Sequence, residues 1–412
     1  MPSAPTDMLQ TLRHRLAPHA DTAIRYSVAV YLLALFTRWW EIPLAAAWIG
    51  FLAWLLGAPK PYLAAALRDR LVAIWLALLA WALATAALSP HRAVSLPDWY
   101  AAFDDHLLVI PLLIHLCLAG RREQFGRVLA WAGVVIVALD GLHYLGDALS
   151  GAIAAPDNWT RHRKWAYPLV LFSPFLMLRL AQSAGRVRLL WSLALLATTL
   201  MVLASGARGA WLALAAAATI FGGWLLRRQR RMVLGALAAL ALAVPLFLLS
   251  PPGEVVRERL AQGFDTSARV TGTWGPALTM AAQHPWLGHG MGMRAYHDEY
   301  MGQVADHPQW FFRDRSMSPH NFFLMALFGL GLPGLALTLA LAGLIVARCV
   351  AQVRAAATPQ AAMLPLALLA SFVAHYLVRG SFETLSWPPL ALYVGLAAGL
   401  TLAARERPAP CA

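Results

Sequence analysis

The feature that most limits what this chain can become is a succession of apolar stretches, each roughly 15–25 residues long, joined by short polar connections. A hydrocarbon core ~30 Å thick offers no water to backbone N–H and C=O groups, so a stretch of that length crosses it only with its hydrogen bonds made internally, as a helix. With 60% hydrophobic and only 13% charged residues, the chain reads as an all-α, polytopic membrane protein. Hydropathy predicts about twelve transmembrane helices, over residues 26–38, 42–57, 71–89, 106–119, 126–146, 165–183, 187–205, 208–226, 231–250, 320–347, 361–378 and 387–404. Short connections imply antiparallel neighbours in one transmembrane domain spanning 1–412.

Orientation follows from the basic residues of the short loops. With the N-terminus in the cytoplasm, most of them fall inside, among them Arg13, Arg68, Arg121, Arg127, Arg186, Arg227, Arg230, Arg348 and Arg405, while most acidic residues fall outside. Both termini are then cytoplasmic. The net charge of +13 is largely this topology signal, which also meets anionic lipid head groups; nucleic acid is not an expected partner. Nothing at the start resembles a cleavable signal peptide. Cys117, Cys349 and Cys411 lie in or beside spans or in the inner tail, so no structural disulfide is expected.

One connection is long. Residues 251–319 form a loop between the ninth and tenth helices, carrying an amphipathic stretch at 254–263 and the aromatics Trp274, Trp286, Tyr296, Tyr300 and Trp310. A loop of this length in a compact protein is functional or disordered, and its aromatics argue against disorder. The smaller outer loops 90–105 and 147–164 can roof the same face, the second with Asp157, Arg161, His162, Arg163 and Lys164.

Three residues at polar-to-apolar junctions on that face carry chemistry. Arg208, in Ser205-Gly206-Ala207-Arg208-Gly209, combines a guanidinium with a helix N-terminus, an arrangement suited to phosphate, although its position alone fits an arginine snorkelling to head groups at least as well. Arg269 in the long loop is, on its own, a solvated charge. His320 follows Ser318 and Pro319, read as N-cap and first helical residue; in the first turn it is either a general base or an interfacial hydrogen-bonded histidine. His375, Arg379 and Glu383 cluster near another outer helix end, where Arg379 is a further phosphate contact or an interface anchor. Gly288-His289-Gly290-Met291-Gly292 follows no strand and reads as a turn returning the loop to the membrane. Asp104-Asp105-His106 lacks a third spaced ligand group for a metal, and Asp140 with His143, about one helical turn apart, reads as a buried polar pair or a proton relay, packing being favoured.

Taken in order, Ser205–Trp211, the Arg269 segment leading to Trp274, His284-Pro285-Trp286-Leu287-Gly288-His289-Gly290 and His320-Asn321-Phe322-Phe323-Leu324 followed by Gly329-Leu330-Gly331 resemble the O-antigen ligase/polymerase superfamily of bacterial envelope glycosyltransferases. The resemblance covers roughly residues 200–335, with Ala207 and His289 departing from the usual pattern. Chain length, span number and the single large loop look most like the ligases. What it implies is a glycosyltransferase C-type membrane fold in the bacterial inner membrane, a periplasmic loop at 251–319 and a site facing the periplasm. The implied donor is O-antigen on undecaprenyl diphosphate, the acceptor the lipid A core sugar, with membrane lipids as further partners and neither metal nor cofactor. Arg208 and Arg269 would neutralise the diphosphate, with Arg379 a further contact, and His320 would deprotonate the acceptor in an inverting displacement. Polymerase, protein oligosaccharyltransferase and, outside enzymes, a flippase or transporter are the alternatives; the oligomeric state is not readable.

Overall fold

A computed structural model describes residues 5–37, 41–57, 60–150, 164–261 and 269–406; the expected features at Asp157, Arg161, His162, Arg163 and Cys411, and the end of the amphipathic stretch 254–263, lie outside them. Among the described residues regular structure is entirely helical, as the apolar runs require. In chain order the helices are α1 (Pro5–Ala34), α2 (Glu41–Gly57), α3 (Leu63–Leu67), α4 (Arg70–Leu88), α5 (Arg92–Leu118), α6 (Arg122–Leu149), α7 (Ala166–Gln182) and α8 (Gly185–Ala204). They continue as α9 (Arg208–Leu226), α10 (Arg230–Leu248), α11 (Pro251–Ala261), α12 (Gly275–Gln283), α13 (Met293–Gln303), α14 (Phe322–Ala355), α15 (Pro359–Phe372) and α16 (Leu390–Arg405). Eight of these, α4, α5, α6, α8, α9, α10, α14 and α15 with the turns that prolong it, are long and apolar enough to cross a membrane. The apolar helices α2, α7 and α16 are shorter.

Two expected connections turn out to be helical. Residues 92–105 belong to α5; Asp105 accepts from the Tyr31 hydroxyl at 3.2 Å, and the next residue, His106, engages Trp75 Nε1 at 3.1 Å and the Trp387 carbonyl at 3.0 Å. Both nitrogens of His106 are therefore committed, and the metal reading of Asp104-Asp105-His106 fails. The stretch 251–319 is likewise folded, holding α11, a π turn (Val270–Trp274) running into α12, and α13. Ala277, Met280, Tyr296, Tyr300 and Trp310 form a small core of their own, closed by Phe328 of α14.

The bundle is held at both ends. At one, Asp69 caps α4 by accepting from Leu71 N at 2.9 Å and pairs with Arg348 at 3.0 Å and Arg405 at 3.7 Å. A carboxylate buried among packed helices demands such company. Between the ends, α16 lies close on α5, where a Cβ at Gly395 or Gly399 would come within 2.6 Å of Leu113 or 2.9 Å of Cys117. Small residues at such a contact let two helix backbones approach. Helix α10 buries none of its side chains, as a lipid-facing helix would not.

At the other end, the loop repairs a break in α14. Gly331 is left-handed (φ 67°) and Pro333 has no N–H, so the helix cannot serve its own carbonyls at Phe328, Gly329 and Leu330. Three donors from elsewhere do so: His289 N to Phe328 O at 2.8 Å, Gly290 N to Gly329 O at 3.1 Å, and Trp81 Nε1 to Leu330 O at 2.8 Å. Leu332 N, freed in turn, donates to Pro285 O at 2.7 Å. The glycine run thus does bring the loop back to the membrane helices, and glycine is required: Gly288 has φ 68°, and a Cβ there would stand 2.6 Å from backbone atoms of Phe328 and Gly329.

His289 is buried behind this clasp, its Nε2 2.7 Å from Met280 O and its Nδ1 3.4 Å from Glu299, which also pairs with His91 of the α4–α5 turn at 2.8 Å. Burial holds the His289 imidazole below its ordinary value of 6.5 against the pull of Glu299, and Glu299, despite burial, is held below 4.5 by its histidine and Gln303 partners. Both folded-state values are depressed, so both groups contribute stability that is complete above their unfolded values and lost as pH falls through the folded ones. His289 is the first to weaken, below about pH 6.5. Amide hydrogen exchange across 275–303 should accelerate as pH is lowered from about 7 to about 5, after correction for intrinsic exchange; His289→Gln should flatten this dependence.

Candidate functional site

The site is organised by a short segment that the sequence motifs do not include. Helix α15 widens after Phe372 into a π turn, Val373–Val378, tightens to a 3₁₀ turn, Arg379–Ser381, and releases the chain into the connection to α16. Such changes of winding redirect the side chains that follow, and π turns recur at functional sites. Here they carry Arg379 into the interior, fully buried, and deliver Phe382 and Glu383 to the helix ends where the motifs lie.

His320 is not in the first turn of α14. Asn321 is the N-cap, its Oδ1 accepting from Phe323 N at 2.9 Å and Leu324 N at 3.0 Å, so Ser318 and Pro319 do not start the helix. His320 stands just before the cap in the left-handed region, with φ 47°, the one described residue other than glycine with positive φ. That conformation is sparsely populated and persists where the surroundings enforce it. Asn321 Nδ2 donates to Ser381 O at 3.2 Å, and His320 Nδ1 lies 3.1 Å from Glu383 Oε2.

The partner fixes the tautomer. A carboxylate only accepts, so Nδ1 carries the proton and the Nε2 lone pair is left for a reacting group. The His320 side chain is 32% exposed, enough for a ligand to reach it. Burial pushes the Glu383 carboxyl up, but the hydrogen bond and charge of His320, together with Arg379 and Arg269, outweigh it and hold the group below its ordinary value. Glu383 is thus an anion behind the imidazole. The Tyr167 hydroxyl stands 3.5 Å from the same carboxylate oxygen.

The two motif arginines approach this segment from the other side. Arg269, at the head of the π turn leading to α12, donates from Nη1 to Phe382 O at 3.1 Å, its guanidinium 5.6 Å from the Phe382 ring centre. Arg208 opens α9, where the neighbouring Gly209 sits so near Phe382 that a Cβ would be 3.0 Å from the phenylalanine Cβ. Its Nη2 donates to Arg259 O at 2.7 Å, tying it to α11. His320, Arg269 and the helix start bearing Arg208 therefore converge on Phe382 and Glu383. Sequence spacing could not reveal Glu383, because it is 63 residues beyond His320; the one available signal was a charged cluster at an otherwise apolar helix end.

Beside this arrangement a cavity of about 690 Å³ opens between α1, α6, the start of α7 and the segment after α15. Phe36, His143, Lys164, Tyr167, Arg379 and Thr384 are among its lining residues. His143 is thus a cavity residue as well as a packed one, its Nδ1 3.0 Å from Leu139 O, while Asp140 is buried.

Comparison with known proteins agrees with the motif resemblance. Residues 193–339 match the family model described as O-Antigen ligase, a span that contains Arg208, Arg269 and His320 and stops short of Arg379 and Glu383. Over 330 residues the chain is 26% identical to the O-antigen ligase of Salmonella typhimurium (strain LT2), covering 78% of this chain and 79% of that one. The chain resembles the O-antigen ligases over most of its length.

Asn321 holds both the helix start and the tie to Ser381. Asn321→Ala should lower stability by about 1 kcal/mol for the lost cap, read as a reduced unfolding temperature in detergent. Asn321→Asp, which keeps the cap but sets a carboxylate oxygen against the Ser381 carbonyl in place of the bond, should recover only part of it.

Proposed function

We propose that this protein is an O-antigen ligase, transferring glycan from undecaprenyl diphosphate to a lipid A core sugar at the periplasmic face of the bacterial inner membrane. The observation that carries the reading is the hydrogen-bonded His320–Glu383 pair facing Arg269 in a chain similar to such ligases. In this reading α2, α7, α16 and the apolar part of α1 join the eight long helices as spans, both termini are cytoplasmic, and the folded stretch 251–319 is periplasmic.

The chemistry follows from the groups present. His320 Nε2 takes the proton of the acceptor hydroxyl as its oxygen attacks the anomeric carbon, and the bond from that carbon to the diphosphate breaks on the opposite face, inverting the centre. Glu383 holds the ring in the reactive tautomer and stabilises the imidazolium that forms, the role a buried carboxylate plays behind a catalytic histidine. Diphosphate is already a good leaving group, so no paired acid is needed as in glycosidases. Arg208 and Arg269 offset the charge that develops on it, and planar guanidinium forks suit its oxygens. A transporter would instead gather its polar groups near the membrane midplane.

Purified protein supplied with undecaprenyl-diphosphate glycan and lipid A core should form ligated product with inverted anomeric configuration. His320→Ala should lower kcat on the order of 10²- to 10⁴-fold, and Arg269→Gln on the order of 10²- to 10³-fold. Glu383→Gln should lower kcat with little change in KM and alter the basic-group limb of the pH–rate profile, which a merely structural role would leave in place. Lengthening of lipid-linked glycan with lipid A core untouched would make the protein a polymerase instead.

A further inference from the structure

From sequence alone Arg379 falls in with Arg208 and Arg269 as one diphosphate-binding set. The geometry separates it. The cavity that Arg379 lines includes none of Arg208, Arg269, His320 or Glu383 among its described walls. Its guanidinium is fully buried, and Nε, Nη1 and Nη2 all lack a hydrogen-bond partner. Among the described residues no carboxylate lies within ion-pair distance of it, although the charge of nearby Glu383 acts on it without a direct contact. A buried charge without hydrogen bonds is costly, and an arginine sheds its proton with difficulty.

One contact does exist, and it sharpens the inference. The guanidinium carbon lies 3.3 Å from the centre of the Tyr167 ring, a separation that only a face-on stack allows. Stacking compensates part of the charge but uses none of the N–H donors, which radiate in the guanidinium plane. Two further buried groups lining the cavity, Nδ1 of His375 and Oγ1 of Thr384, also lack partners. Lys164 adds a second cation to the wall. An in-plane fork, a hydroxyl and an ammonium around one cavity form a recognition set for tetrahedral oxyanions.

We propose that the cavity between α1, α6 and the start of α7 is a second anion pocket, separate from Arg208 and Arg269, in which Arg379, Lys164 and Thr384 bind a phosphate group of one of the two lipid-linked substrates. At about 690 Å³ it lies within the usual range for small-molecule sites, roughly 300–1,000 Å³, so it admits the phosphate together with part of the sugar or lipid that bears it. Tyr167 connects the pocket to the reacting base: its ring supports Arg379 and its hydroxyl reaches the carboxylate that holds His320. A phosphate bound here fixes its substrate one side chain away from the reaction. Which substrate it fixes deepens the ligase reading and rests on it; the pocket itself does not.

Inorganic pyrophosphate is the probe, titrated calorimetrically into the full-length chain carrying Arg208→Gln and Arg269→Gln, in low-chloride buffer. One saturable site should remain, and adding Lys164→Gln, Thr384→Val or Arg379→Lys should weaken it at least tenfold at an unchanged unfolding temperature. If Arg379→Lys fails to fold, the other two carry the test. Absence of any saturable site, or a site indifferent to Lys164→Gln and Thr384→Val, overturns the proposal. In otherwise wild-type enzyme, Thr384→Val should raise KM severalfold for one substrate: the donor if the pocket takes a diphosphate, the acceptor if it takes an acceptor phosphate. Unchanged KM for both refutes a substrate site. Pyrophosphate binding without transfer to lipid A core would sink the ligase reading and leave the pocket standing.

Discussion

The hydrogen bond between His320 and Glu383 is the interaction on which the arrangement of the site depends, because it joins two helix ends that nothing in the chain order brings together. His320 belongs to the start of α14 and Glu383 to the connection beyond α15, and each is held by an independent local device. On one side this is the Asn321 cap and the left-handed backbone at 320; on the other, the π and 3₁₀ turns after Phe372. Local strain of this kind costs about 1–3 kcal/mol and survives only where surrounding structure determines it. The Asn321–Ser381 and Arg269–Phe382 bonds supply that determination from both flanks of the same segment.

The helical class was legible because lipid imposes a simple rule, that apolar runs of sufficient length must be helices; of the roughly twelve spans expected, eight of the described helices are long and apolar enough to cross. Helix ends were less legible. Residues 92–105 read as a polar connection because Pro97, Asp98, Asp104 and Asp105 look solvated, yet Asp105 and His106 find partners on other helices that no window along the chain can see. Ser318-Pro319 looked like a helix start for sound local reasons, but Asn321 offers its carbonyl to two amides and wins.

The site was half visible. Arg208, Arg269 and His320 stand in an ordered motif, and the structure brings their helix ends to one place. Glu383, which orients the histidine, and the widened turn that positions it stand outside the motif and outside the matched family region. Winding changes have no clear composition signal: Val373-Ala374-His375-Tyr376-Leu377-Val378 is an ordinary apolar helix sequence until Arg379 has to be accommodated.

The broken helix α14 also bears on how such a chain is made. Carbonyls at Phe328, Gly329 and Leu330 receive their hydrogen bonds from Trp81 and from the 289–290 backbone, all of which precede α14 in the chain. Unsatisfied carbonyls are most costly near hydrocarbon. Synthesis runs from the N-terminus, so the donors emerge from the ribosome before the acceptors that need them. A break that would burden an isolated span meets, on insertion, a complementary surface already translated, and chain order itself becomes part of how the helix is stabilised.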